Sequence, residues 1–267
     1  AAQARDRATL LGLPLSVVGE VRAELPWRMD VHSAGPPPSG TPLVVDLSSL
    51  WAGPLCSSLL RRLGCRVLKV EDPRRADGAR RGPTKFFDLL NAGAESVAID
   101  FSTDAGRRRL RELLLAADVV VEGSRPRALR QLGLVAEDVV AQSDRLTWVS
   151  ITAYGREHER VGFGDDTAAA GGLVVDGCFV GDAIADPMTG VHAALAAWAG
   201  IKQGGARLVD VPLARVAATA AALDGHCGPA TWRQDDWWAE AAEGWVQVRN
   251  PLARKASGPG PSLAALP

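Results

Sequence analysis

The stretch that decides the fold is Val44-Val45-Asp46-Leu47-Ser48-Ser49-Leu50-Trp51-Ala52-Gly53-Pro54, followed closely by Gly64-Cys65-Arg66-Val67-Leu68-Lys69-Val70-Glu71. An apolar run ends in a turn of small residues. A helical pattern follows, with apolar residues at Leu55, Leu59, Leu60 and Leu63, and a second apolar run ends in charge. This is a strand–turn–helix–strand unit, which presents a ligand edge at the carboxyl end of its first strand.

The alternation continues outward. Strands are expected at 43–47, 66–70, 96–100, 118–122, 146–151 and 207–211. Helices are expected at 53–63, 103–117, 126–132, 186–202 and 213–223, with a helical turn at 86–90 and an Arg/Gly-rich loop at 73–83. Val97-Ala98-Ile99 and Val119-Val120-Val121 are apolar at successive positions, which suits strands covered on both faces. The fold class is therefore α/β, a Rossmann-like, mostly parallel sheet with helices on both faces.

Three regions are expected. Residues 1–40 form an N-terminal helical segment closed by the Pro/Gly linker Ser33-Ala34-Gly35-Pro36-Pro37-Pro38-Ser39-Gly40-Thr41-Pro42. Residues 41–223 form the α/β domain. In 224–267 the pattern fades into a Trp-rich segment and tail. Trp232, Trp237, Trp238 and Trp245 are expected to pack or to meet a partner rather than hold a cofactor.

The 267 residues are 47% hydrophobic and 23% charged, with a net charge of −1. That balance argues against a general nucleic-acid binder, so an anionic ligand needs a local basic cluster. No apolar run is long enough to span a bilayer, and the first residues lack the apolar core of a signal peptide. The four cysteines (Cys56, Cys65, Cys178, Cys227) form no CxxC pair and the four histidines are scattered. Buried free thiols in a reducing cytoplasm and no metal site are expected. No G-x-G-x-x-G follows the first strand, and Gly78-Ala79-Arg80-Arg81-Gly82-Pro83-Thr84-Lys85 lacks a P-loop's G-K-[ST].

Five segments in order resemble the family III CoA-transferases (CaiB/BaiF type), the group that includes the α-methylacyl-CoA racemases. They are Asp46 to Pro54; Val67 to Pro73 with Asp77-Gly78-Ala79-Arg80; Asn91 to Asp100; Ala117 to Pro126 with Leu132-Gly133-Leu134; and Gly181 to Asp186 with Val209-Asp210-Val211-Pro212-Leu213. The resemblance implies a Rossmann-like large domain, a smaller second domain, and two subunits threaded through each other as interlocked rings. In this shorter chain the second domain is expected to be reduced or missing, and the chain to be part of a longer or fused one. The expected partner is a second copy or a related chain.

The resemblance also implies chemistry. Coenzyme A moves between carboxylic acids through an aspartate that attacks the thioester; CoA and acyl-CoA are substrates, and no permanently bound cofactor is implied. The matching segment is Gly162-Phe163-Gly164-Asp165-Asp166, which makes Asp165 the first choice of nucleophile and Asp166 the second. The same Gly-Asp-Asp would also serve as a helix N-terminus with a charged first turn. Asp182 matches a second family acid, or caps the following helix. CoA contacts are expected from Trp51, Ala52, Lys69, Arg74, Arg80, Asn91, Gly123, Ser124, Arg125 and Tyr154, the arginines suiting phosphate by their fork of donors.

There are departures. Racemases place a His directly before the first Asp, where this chain has Gly164. After Asn91 the family has a basic pair, where this chain has Ala92-Gly93-Ala94-Glu95. Racemase-like proton exchange and a non-catalytic domain paired with an active partner are therefore the alternatives.

Overall fold

A computed structural model describes residues 2–223, 230–233, 235–241 and 244–248. The helices are α1 (Ala2–Leu11), α2 (Ala52–Arg62), α3 (Thr84–Asn91), α4 (Asp104–Ala116), α5 (Pro126–Gln131), α6 (Ala136–Ala141), α7 (Gly164–Ala170), α8 (Ala185–Gln203) and α9 (Leu213–Ala221). The strands are β1 (Arg28–Val31), β2 (Leu43–Asp46), β3 (Arg66–Glu71), β4 (Glu95–Ala98), β5 (Val119–Glu122), β6 (Thr147–Thr152), β7 (Val174–Val175), β8 (Cys178–Phe179), β9 (Arg207–Pro212), β10 (Ala230–Arg233), β11 (Asp236–Ala241) and β12 (Gly244–Gln247).

Seven strands form one sheet in the order β1-β9-β6-β5-β2-β3-β4, parallel except for β1. The unbroken valine runs are explained by the pleat. Val44, Val119 and Val121 join a core with α2, α7, α8 and α9 on one face, while Val45 and Val120 join a core with α4 and α6 on the other. Each strand thus needs apolar side chains at successive positions.

The turn from α2 into β3 is set by Gly64. Its φ of 97 is the left-handed region that ends helices, and Cys65 N–H reaches Leu60 O (3.1 Å) while Gly64 N–H reaches Arg61 O (3.0 Å). This pair of bonds satisfies carbonyls that the last helical turn leaves open. The connections then place β3 and β4 on one side of β2, and β5, β6 and β9 on the other. The strand order reverses between β2 and β5. In open α/β sheets the carboxyl-end edge at such a point is where ligands sit.

Three features lie outside the sequence reading. The N-terminal segment contributes a strand to the sheet. β1 pairs antiparallel with β9 at the sheet edge, and Ser33 at the start of the linker exchanges backbone hydrogen bonds with Ala206 (3.2 Å each way). An edge strand is thereby covered. Between α7 and α8, a hairpin of β7 and β8 turns on Asp176-Gly177, both at positive φ (51 and 75); Asp-Gly is a preferred pair for such a turn. Cys178 on this hairpin is exposed, whereas Cys56 and Cys65 are buried free thiols; Cys227 lies outside the described residues. Finally, the Trp-rich segment is a three-stranded antiparallel sheet, β10-β11-β12. Trp232 and Trp237 meet edge to face across its strands at 5.6 Å, and both are exposed.

Candidate active site

The two strands that flank the reversal end alike. Asp46, at the end of β2, accepts the Ser48 N–H (2.8 Å) and hydroxyl; Glu122, at the end of β5, accepts the Ser124 N–H (2.9 Å). Each acid folds its own turn and is buried. Gly123 lies beside Ser48. A Cβ on Gly53 would overlap the Ser48 side chain, so glycine is required for α2 to start this close to the turn.

Leu50, in the turn before α2, has φ 70. Such a conformation costs a non-glycine residue about 1–3 kcal/mol and persists where its surroundings enforce it. Here Asp77 holds it, accepting the N–H of Leu50 (3.0 Å) and of Ala79 (2.9 Å). Lys69 completes the clamp. Its ammonium pairs with Asp77 (3.0 Å) and donates to Ser48 O (3.1 Å), and its side chain is 2% exposed. Lys69, an expected phosphate ligand, is therefore consumed in a sealed ion pair beneath the turn. Burial of both charges demands this mutual satisfaction.

The acids gather at the heads of three helices. Asp186 is the second residue of α8, and its carboxylate accepts the backbone N–H of Ala52, first in α2, and of Gly164, first in α7. Asp165 returns the bond by accepting the N–H of Ala183, just before α8 (2.7 Å). Ala183, like Leu50, is a non-glycine residue at positive φ (47). Helix N-termini favour negative charge through their unpaired N–H groups and aligned dipoles. Burial acts in the other direction and is stronger. It pushes the Asp186 carboxyl up to about 6, against the two N–H bonds that lower it, with Asp165 and Asp166 adding repulsion.

Asp166 has a local role. Its carboxylate accepts the Phe163 N–H (2.6 Å) and the Tyr154 hydroxyl (3.2 Å). The first bond is the reach-back half of a capping box at the start of α7. Burial raises its pKa, and the two hydrogen bonds oppose the rise. Asp182 is exposed, on the loop before α8, and does not cap that helix.

The expected CoA contacts divide. Trp51, Ala52, Gly123 and Ser124 lie on the edge where strand order reverses, Trp51 edge-on to Phe86 at 5.1 Å. Arg125, next along, is exposed. Arg74 is exposed but paired with Asp72 (3.1 Å) and Asp100 (3.2 Å). Arg80 is held by Glu71 (2.9 Å) and lies over the Phe87 ring (4.2 Å). Asn91 is buried, its amide donating to Phe87 O (3.0 Å). Tyr154 is buried with its hydroxyl on Asp166. Lys69, Arg80, Asn91 and Tyr154 therefore build the walls rather than offer free groups.

Asp186 is the residue that sequence reasoning missed. In Ala185-Asp186-Pro187 it reads as an ordinary first-turn acid of an Ala-rich helix. The convergence of α2 and α7 on it is tertiary, with no local signal. Among the described residues no group of His, Cys, Asp and Glu is placed to hold a metal, and no helix is long and apolar enough to cross a membrane.

Comparison with known proteins identifies the family. The family model for CoA-transferase family III matches residues 42–234. Succinyl-CoA–D-citramalate CoA-transferase of Chloroflexus aurantiacus is 29% identical over 189 residues, covering 63% of this chain and 47% of that protein. Succinyl-CoA:glutarate CoA-transferase of Mus musculus is 32% identical over 177 residues, covering 60% of this chain and 41% of that one. The crystal structure of a CaiB/BaiF family protein from Brucella suis superimposes with a TM-score of 0.62 at 29% identity, covering 67% of this chain and 54% of the other. The chain belongs to CoA-transferase family III. It spans less than half the length of these two curated relatives.

Proposed function

We propose that this protein is an enzyme that transfers coenzyme A between carboxylic acids, with Asp186 as the nucleophile. The observation that carries this reading is the half-buried Asp186 carboxylate at the meeting of the α2, α7 and α8 heads, beside the edge where the sheet order reverses. A desolvated carboxylate with a raised pKa is a stronger nucleophile than one in water. Its oxygen attacks the thioester carbonyl, a C–O bond forms, the C–S bond breaks, and the electron pair leaves on CoA thiolate. The thiolate then attacks the aspartyl carbonyl of the resulting anhydride. This gives an aspartyl-CoA thioester and releases the first acid. The acceptor carboxylate repeats the sequence in reverse. The N–H groups of Ala52 and Gly164, which hold the Asp186 carboxylate, are donors for the negative oxygen that develops on the aspartyl carbonyl when the thiolate attacks it.

Asp165 fixes the Ala183 turn that carries Asp186, and Asp166 fixes the start of α7. CoA itself is a passing substrate: Trp51 and Ser124 border its arm, and Arg125, exposed and without an ion pair among the described residues, is the cation for its phosphates. The names of the two relatives make succinyl-CoA the donor to try first, with a dicarboxylic acceptor. A cytoplasmic, interlocked homodimer, or pairing with a related chain, is part of the same reading.

Racemase-like exchange is disfavoured by space. A Cβ on Gly164 would overlap Asp186 Oδ2 and the Ala183 carbonyl oxygen, so a second proton-transferring side chain does not fit there. The non-catalytic reading draws on Glu95, which stands where a basic residue is expected and is held by Arg66 (2.6 and 2.8 Å). One assay separates them. Incubation with succinyl-CoA and glutarate yields glutaryl-CoA with the wild type and none with Asp186→Asn. No new thioester from the wild type rejects transfer, and deuterium wash-in at the α-carbon of a branched acyl-CoA would restore the racemase reading.

A further inference from the structure

The N-terminal segment grips the acid-bearing helix α7 at both ends. At its C-terminal end, Gly19 and Val21 donate their N–H groups to the carbonyls of Ala169 and Ala170 in its last turn (2.9 Å each). Glu20, between them, reaches toward the other end. Its Oε1 accepts from Arg160 Nη2 (2.6 Å) and its Oε2 from Arg5 Nη1 of α1 (3.0 Å). The Arg160 guanidinium lies 3.6 Å from the centre of the Tyr154 ring. Tyr154 donates to Asp166, and Asp166 holds the Phe163 N–H at the head of α7.

Exposed ion pairs contribute little, because ordering two long side chains offsets the attraction. This pair is different in kind: the Glu20 side chain is 11% exposed and Arg160 19%. Arg160 is further fixed by the ring beneath it and by Leu15 O (3.2 Å). The chain Glu20–Arg160–Tyr154–Asp166 ends on the turn that carries both Gly164, a donor to Asp186, and Asp165.

We infer that Glu20 is a positioning residue: through Arg160, Tyr154 and Asp166 it sets the place of the α7 head against Asp186. This rests on the reading of Asp186 as nucleophile. Small displacements at a reacting centre are costly, up to about 100-fold for roughly 1 Å.

The chain has one tyrosine, so the tyrosine ring resonances report the middle of this relay without assignment by mutation. The variants are Glu20→Gln, Glu20→Asp and Arg160→Lys; the last keeps the charge and loses the planar stack. Glu20→Gln and Arg160→Lys are expected to move the tyrosine resonances and to lower kcat about tenfold with KM for acyl-CoA within about twofold, a split that marks loss of transition-state alignment. Glu20→Asp is expected to recover part of both. Unmoved resonances in both variants overturn the relay. Moved resonances with unchanged kcat overturn the positioning role. A wild type without turnover refutes the transfer reading instead, and the tyrosine signals alone then decide whether the relay exists.

Discussion

Asp165 and Asp186 hold each other's helices in place: Asp165 accepts the Ala183 N–H at the approach to α8, and Asp186 accepts the Gly164 N–H at the head of α7. Two like charges are thereby kept side by side, and burial holds the Asp186 proton up to about pH 6 against an ordinary value of 3.8. A carboxyl whose folded-state pKa is raised contributes stability that is fully present below the unfolded value and lost as pH rises through the folded one. Asp186→Asn is therefore expected to stabilise the protein above pH 6, by about 3 kcal/mol for a rise of this size. The gain should vanish toward pH 4 while transfer is abolished. Melting curves of both proteins at pH 4 and pH 8 check this. In the wild type, transfer should rise as pH increases through about 6, since only the ionised form attacks.

Gly164 has no room for a side chain. Gly164→Ala should push the heads of α7 and α8 apart, cost about 1–3 kcal/mol as an overpacked site, and lower kcat more than it changes KM. Denaturant unfolding and steady-state kinetics read the two effects separately.

Lys69 tests whether the buried pair is structural. Lys69→Met leaves Asp77 buried without its cation, which should cost about 3–5 kcal/mol. The expected result is a large fall in melting temperature. A folded variant of normal stability with selectively weakened CoA binding would return Lys69 to the ligand site.

Arg125 makes the opposite prediction. It is exposed and forms no ion pair with another described residue. Arg125→Ala should raise KM for acyl-CoA about tenfold, the worth of one charge-assisted hydrogen bond, with the melting temperature unchanged. The salt dependence of KM should weaken with it.

The sheet was legible because its signal is local. Val97-Ala98-Ile99 and Val119-Val120-Val121 are apolar at successive positions, which suits strands covered on both sides. β1 was not legible: Arg28-Met29-Asp30-Val31 alternates over only four residues, too short a run to mark a strand, and its place at the edge comes from pairing with β9. The site divides in the same way. The turn Leu47 to Ala52 could be located from residue type, and the Gly164-Asp165-Asp166 corner from the family resemblance. Lys69, Arg80 and Tyr154 read as free polar groups because their partners Asp77, Glu71 and Asp166 are met only through the fold. Asp186 was hidden for the converse reason, since an acid in the first turn of a helix is common and its neighbours come from α2 and α7.

The most direct measurement is peptide mass spectrometry after incubation with succinyl-CoA and hydroxylamine, which converts an activated aspartyl carbonyl to a hydroxamate. That modification is expected on the peptide carrying Asp186, and is expected to be lost in Asp186→Asn. Turnover with the hydroxamate on Asp165 or Asp166, or with no modified aspartate at all, would contradict Asp186 as the nucleophile.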